Sequence, residues 1–242
     1  MIRTTDAIVL RNRAHLEADL IVTYLTGDLG IVDAYAKSPR KVGSRFGSSL
    51  EPLTFARISL YGKEQATLPR ITRSDIIKPF NQLRESMSIY LKISEILELT
   101  LRTLPPRERN PRVFKLLLDT LSLLDGRPDP LYMLYYKIKL LGYTGFAPVL
   151  RGCIRCGEDT DRFYLSEGAM LCSKCAEGGE RFIVLEPSVQ RLYQYLSRIE
   201  PAILKRIKVD KGVLAGVEEL VDAHINYRVV DRINSREFIN AL

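Results

Sequence analysis

"DLIVTYLTGDLGIVDAYAK", Asp19 to Lys37, alternates its side chains across a short turn. Leu20, Val22 and Tyr24 fall on one face of the first half, and Ile21, Thr23 and Leu25 fall on the other. That period of two is the mark of a strand. "TGDLG", Thr26 to Gly30, then reads as a hairpin turn into a second strand. Outward from this hairpin lie "AIVLR" (7–11), "FARISLYG" (55–62) and "ATLPRI" (66–71), with "YGKE" (61–64) as a further turn. Five short β-branched and aromatic runs in about eighty residues, joined by hairpins and one long crossing segment, predict a small closed barrel of the OB type. An SH3-like barrel is the alternative that strand counting leaves open.

The crossing segment, "AYAKSPRKVGSRFGSSL" (Ala34 to Leu50), holds four bases and no acid in seventeen residues. Lys37, Arg40, Lys41 and Arg45 concentrate positive charge on a Ser/Gly-rich connection beside the sheet. Tyr35 and Phe46 bracket it, and exposed rings there would stack on nucleic-acid bases. Most charge runs are only solvated loops. Basic loops and aromatic residues on a small barrel, however, are the usual arrangement for binding a strand. Residues 1–80 carry twelve bases and eight acids, and so more than half of the chain's net charge of +7. Arg57, Lys63, Arg70 and Arg73, on or near the later strands, extend the candidate track.

After "KPFN" the period lengthens to that of a helix. Leu83, Met87, Tyr90, Leu91, Leu97, Leu101 and Leu104 form one long amphipathic face that "LPPRERNP" ends. Asn110 and Pro111 start a second helix, and Asp129 caps a third that Gly142 closes. "EPSVQRLYQYL", "KGVLAGVEELVDAHINYRV" and "NSREFINAL" read as later helices. Tyr132, Tyr135 and Tyr136 are read as helical core, and His224 as a core or surface residue in a helix.

All four cysteines stand between these helices, as Cys153-x2-Cys156 and Cys172-x2-Cys175 with fifteen residues between the pairs. This is the spacing of a four-cysteine zinc site, in which two turns bring four thiolates onto one ion at about 2.3 Å. Gly157 follows the first pair, where a positive φ is commonly needed. Four thiolates close the tetrahedron and leave no position for substrate, so the zinc is read as structural. Disulfides and a C-x-x-C redox site are the competing readings. Around the cysteines, residues 150–179 carry four bases and five acids, a poor grip for phosphates.

The chain has 242 residues, 46% of them apolar, enough to build cores without covalent staples. The charged N-terminus resembles no signal peptide, and no run approaches about 20 uncharged apolar residues. A reducing cytoplasm is therefore expected, and that disfavours disulfides. No P-loop, G-x-S-x-G, H-E-x-x-H or G-x-G-x-x-G motif occurs. With two distant histidines and four cysteines already matched to one another, no catalytic constellation assembles, and an enzyme is not expected.

The order of parts resembles the RecO family of bacterial recombination mediators, along essentially the whole chain. The resemblance rests on "EADLIVTYLTGDLG" (17–30), "GSRFGSSLEPLT" (43–54), "LLGYTGFAPVLRGCIRCG" (140–157) and "NSREFINAL" (234–242). It implies an α+β multidomain protein: an OB-fold DNA-binding domain (1–79), a helical domain in two parts (80–149 and 180–242) and a four-cysteine zinc module (150–179). It implies a non-enzymatic protein that binds single- and double-stranded DNA, anneals complementary strands and helps load RecA onto SSB-coated DNA. The partners it implies are RecR, the acidic C-terminal tail of SSB and, in some bacteria, RecF. A cytoplasmic, nucleoid-associated place in a bacterium follows from the same resemblance. The DNA contacts carried over are Lys37, Arg40, Lys41 and Arg45, with Arg57 and Arg73 as further candidates; the zinc ligands are Cys153, Cys156, Cys172 and Cys175. A zinc-ribbon RNA-binding or transcription-associated protein is the alternative, and a scaffold for an acidic protein tail is a third reading.

Overall fold

β1 (Ile2–His15) is long enough to serve two neighbours, and it does so by bending. In the computed structural model, which describes residues 1–41, 44–63, 66–176 and 181–229, β1 pairs antiparallel with β2 (Asp19–Thr26) through Ala7–His15 and with β4 (Phe55–Tyr61) through Ile2–Ile8. The register slips between Val9 and Arg11, a bulge that bends the strand and raises its twist so that both pairings fit. β2 continues through the expected hairpin into β3 (Gly30–Ala36). β5 (Arg70–Lys78) pairs antiparallel with β4 and meets β3 in parallel at one aligned pair, Tyr35 with Arg70.

The resulting order, β1-β2-β3-β5-β4, closes into a barrel. A parallel β3–β5 seam belongs to the five-stranded OB type and not to an SH3-like meander. β5 begins later than the expected "ATLPRI", because Pro69 has no N–H to give the ladder. Inside lie Val9, Val22, Tyr24, Ala34, Ile58 and Ile71.

Gly30 opens β3 at φ +68, and an added Cβ there would stand 2.2 Å from the Glu108 carbonyl oxygen, so only glycine fits. That close approach is to the segment between two helices of the same compact unit, Met1–Pro128. The expected long helix breaks in two, α1 (Gln82–Glu85) and α2 (Met87–Thr103), at Ser86, whose backbone is extended with φ −100 and ψ 113. α3 (Pro111–Gly126) starts as expected: the Asn110 side chain accepts from the Val113 amide at 3.1 Å. Phe114 of α3 meets Phe55 of β4 edge-on at 6.2 Å, and Lys78 of β5 pairs with Asp125 at 2.9 Å. The barrel and the first helices that follow it thus pack as one compact unit.

The second unit, Asp129–Leu242, begins with α4 (Pro130–Thr144), capped as expected by Asp129, which accepts from the Leu131 amide at 2.9 Å. α4 runs past Gly142 and stops instead at Gly145, the residue that takes the left-handed conformation at φ +81. Tyr132, Tyr135 and Tyr136 are buried in it, as read from the sequence. Three short strands follow, β6 (Arg162–Tyr164), β7 (Ala169–Met170) and β8 (Ile183–Val184), as one antiparallel sheet in the order β7-β6-β8. α5 (Pro187–Arg198), α6 (Pro201–Leu204) and α7 (Lys211–Arg228) complete the unit. The helix expected at "NSREFINAL" lies outside the described residues.

Candidate metal centre and nucleic-acid interface

The two cysteine pairs converge at one end of the β7-β6-β8 sheet. The Sγ atoms of Cys153, Cys156, Cys172 and Cys175 all lie within 4.8 Å of one another, and Cys156 and Cys172 approach to 3.6 Å. Sulfurs about 2.3 Å from a shared ion stand about 3.8 Å apart in a tetrahedron, so the spacing suits a metal. It is far from the roughly 2.05 Å of a disulfide, and all four thiols are free.

Backbone geometry makes the turns. Gly157 sits at φ +80, as the sequence predicts, and its amide donates to the Cys153 carbonyl at 2.8 Å. The Cys175 and Ala176 amides return to the Cys172 carbonyl at 3.1 and 3.0 Å. Cys153 and Cys172 are buried with Tyr164 and Leu171. The backbone amide of Cys172 first, then those of Cys156 and Arg155, pull the Cys153 thiol down to about 6. Cys175 is pushed up to about 12, chiefly by its hydrogen-bond contacts with Cys156 and Cys172. One thiolate thus forms readily, and the last does not form without a compensating cation. Four cysteines in this arrangement can hold a metal ion.

Two of the four bases around the cysteines are matched within the module. Arg155 pairs with Glu167 at 3.0 Å and donates to the Cys175 carbonyl at 2.8 Å, and Lys174 pairs with Glu158 at 3.1 Å. This argues against phosphate recognition by the cysteine turns.

The basic crossover leaves β3 on the outer face of the barrel. Lys37, Arg40, Lys41 and Arg45 are all exposed. Among the described residues none of the four pairs with a carboxylate. Arg57 and Arg73 differ: Arg57 grips Asp6 through two hydrogen bonds of 2.8 and 3.2 Å, and Arg73 lies 2.6 Å from Asp75.

The expected stacking rings are not offered. Phe46 is only 4% exposed and belongs to the barrel core, with the Arg45 guanidinium 4.9 Å above its ring. The crossover folds back over the barrel, and its one phenylalanine fills apolar space there. Tyr35 is half-buried, donates its hydroxyl to Asp19 and meets His15 edge-on at 5.9 Å. His15 thereby gains the partner that the sequence did not reveal.

Two arginines absent from the sequence-based set join this face. Cross-strand register aligns Arg13 with Ile21, Tyr35 and Arg70, and Arg11 with Thr23 and Asp33. Arg11 donates to Thr23 at 3.2 Å, Thr23 donates to Asp33 at 2.5 Å, and Arg13 lies 4.0 Å from the same carboxylate. One acid thus serves two exposed arginines. The signal was present in "RNRAH" (11–15), whose alternate residues share a face of a strand.

An OB-type barrel with a cationic outer face, in a chain that also carries a four-cysteine centre, defines the class. Comparison with known proteins supplies the family. Residues 1–80 match the model described as Recombination protein O N terminal, and residues 84–237 match Recombination protein O C terminal. The DNA repair protein RecO of Thermodesulfovibrio yellowstonii is 39% identical, covering 92% of this chain and 91% of its own length. DNA repair protein RecO of Dehalococcoides mccartyi is 31% identical over 92% of this chain and 89% of its own. That of Symbiobacterium thermophilum is 30% identical, with 98% and 96% covered. The chain belongs to the RecO family of DNA repair proteins. Among its described residues no helix is long and apolar enough to cross a membrane.

Proposed function

We propose that this chain is a non-enzymatic DNA-binding mediator of recombinational repair. It holds single- and double-stranded DNA on the barrel, anneals complementary strands and assists the loading of RecA onto SSB-coated DNA. RecR and the SSB C-terminal tail are its partners, joined by RecF in some bacteria, and the bacterial cytoplasm, at the nucleoid, is its place of action. One observation carries the reading: Lys37, Arg40, Lys41 and Arg45 are exposed and unpaired with carboxylates among the described residues.

Phosphates bound there release counterions, which supplies affinity without a sequence code. Two strands neutralised on one cationic face repel each other less, and that lowers the barrier to their pairing. The step needs no covalent chemistry and no nucleotide.

Cys153, Cys156, Cys172 and Cys175 hold a structural Zn2+ ion in this reading. The ion supplies a cross-link between the two turns and neutralises the thiolates; the four sulfurs leave no open position for a reacting group.

Annealing of complementary oligonucleotides tests the proposal. Replacing Lys37, Arg40, Lys41 and Arg45 together by alanine is expected to slow annealing at least about tenfold, each lost phosphate contact removing part of the counterion-release affinity. An unchanged rate in a folded variant removes the proposed surface.

A further inference from the structure

The tip of the β1–β2 hairpin is built against its own preferences. Leu16 sits at φ +55, in the left-handed region that a branched L-residue adopts at a cost, and its side chain is 74% exposed. Two other leucine or phenylalanine residues take positive φ, Leu53 and Phe80, but they are 0% and 1% exposed, so burial compensates for their strain. At Leu16 no burial among the described residues does. A tip required only to turn would be served better by glycine or asparagine.

What surrounds the tip gives this an explanation. The Ala18 carbonyl accepts from the Arg40 amide at 3.3 Å, and Asp19 accepts from the Ser38 amide at 2.6 Å. The apolar tip and the basic crossover are thus tied side by side. Glu17, exposed next to Leu16, repels phosphates from the tip itself. A strand whose phosphates sit on Lys37, Arg40 and Lys41 therefore presents its bases to Leu16. Apolar side chains in such a position act as wedges between base steps.

We propose that Leu16 is a wedge that enters between neighbouring bases of a DNA strand held on the crossover and unstacks that step. The inference rests on the DNA-binding reading above and deepens it. Single strands and duplex ends, where unstacking costs least, are the preferred substrates. A base freed from its neighbour exposes its pairing edge to an incoming strand, which connects the wedge to annealing.

The test uses the full chain and a hairpin duplex with a short single-stranded tail, carrying 2-aminopurine at the first paired position. Its fluorescence rises on unstacking, and anisotropy of an end label reports binding separately. Leu16→Gly removes the wedge and relieves the left-handed strain, so the fold is kept; Leu16→Met keeps an apolar reach. The expected result is a severalfold fluorescence rise with the unaltered protein and with Leu16→Met, and little rise with Leu16→Gly. Affinity is expected to stay within about twofold, because no charge is changed. Binding with an equal rise for Leu16→Gly, or with no rise for the unaltered protein, overturns the wedge alone. Absence of binding by the unaltered protein overturns the DNA-binding reading and the wedge with it.

Discussion

Asp19 and Ser38 meet at 2.6 Å, carboxylate oxygen to backbone amide, at the point where the basic crossover leaves the barrel. The other carboxylate oxygen accepts from the Tyr35 hydroxyl. One nearly buried acid thereby fixes the base of a segment whose cations stay exposed, with Ser38 itself at φ +57. The arrangement orders the crossover without neutralising it.

Acid should loosen this joint. The Tyr35 hydroxyl first, then the Ser38 amide, with the charges of His15 and Lys37, hold the Asp19 carboxyl below its ordinary value of 3.8. The folded state therefore binds this proton less tightly than the unfolded one. Its stabilisation is complete above that ordinary value and is lost as pH falls through the depressed one. The protection of the Ser38 amide, the slowing of its exchange relative to the unfolded chain at the same pH, should fall as pH drops below about 4, and Asp19→Ala should lower that protection about tenfold at neutral pH. Exchange unchanged by the substitution would show that the loop is held elsewhere.

The ion pairs at Arg57 and Arg73 predict a graded mutational map. Each guanidinium is already matched to a carboxylate, Asp6 or Asp75. Arg57→Ala or Arg73→Ala should change affinity for single-stranded oligonucleotide less than about twofold, since phosphate would have to displace an existing partner. Arg11→Ala with Arg13→Ala should cost more, because the two share only Asp33. Equal losses at all of these positions would mean that net charge, not availability, sets binding.

Metal removal should act locally. A chelator, or Cys172→Ser with Cys175→Ser, should lower the melting temperature of the Asp129–Leu242 unit by roughly 10 °C and leave the barrel unit nearly unmoved. Differential scanning calorimetry with near-ultraviolet circular dichroism separates the two. Loss of DNA binding at unchanged stability would make the cysteine turns a contact surface instead.

His224 should resist protonation. Burial, its largest influence, holds the imidazole below its ordinary 6.5; the Phe146 carbonyl, 2.7 Å from Nε2, acts the other way, and Arg228 reinforces burial. Nδ1 is buried without a partner among the described residues. The neutral form is thus the folded one: its stabilisation is complete above 6.5 and declines as pH falls toward the folded value. Imidazole proton shifts followed by NMR should place the His224 midpoint below 6.5, and a midpoint at or above that value would contradict the burial argument.

Features set by near neighbours in the chain were legible: the hairpin at Thr26–Gly30, the caps at Asn110 and Asp129, and the cysteine pairs. Features set by return of the chain on itself were not. The Ser/Gly-rich context of Phe46 gives no sign that the crossover packs into the barrel core. Arg57 and Asp6 are 51 residues apart, and only the β1–β4 register, with Asp6 opposite Arg57, brings them together. The Arg73–Asp75 pair, by contrast, sits two residues apart on one face of β5 and was readable from alternation alone. The sharing of Asp33 by Arg11 and Arg13 again needed the barrel's register.

The central claim is that the exposed cations of the crossover meet DNA phosphates. The most direct test is the salt dependence of single-stranded oligonucleotide affinity for the unaltered chain and for the Lys37, Arg40, Lys41 and Arg45 alanine variant. Each phosphate contact contributes about 0.7 to the slope of log affinity against log salt, so the variant's slope should be shallower by roughly three. Identical slopes and affinities in two equally folded proteins would contradict the account.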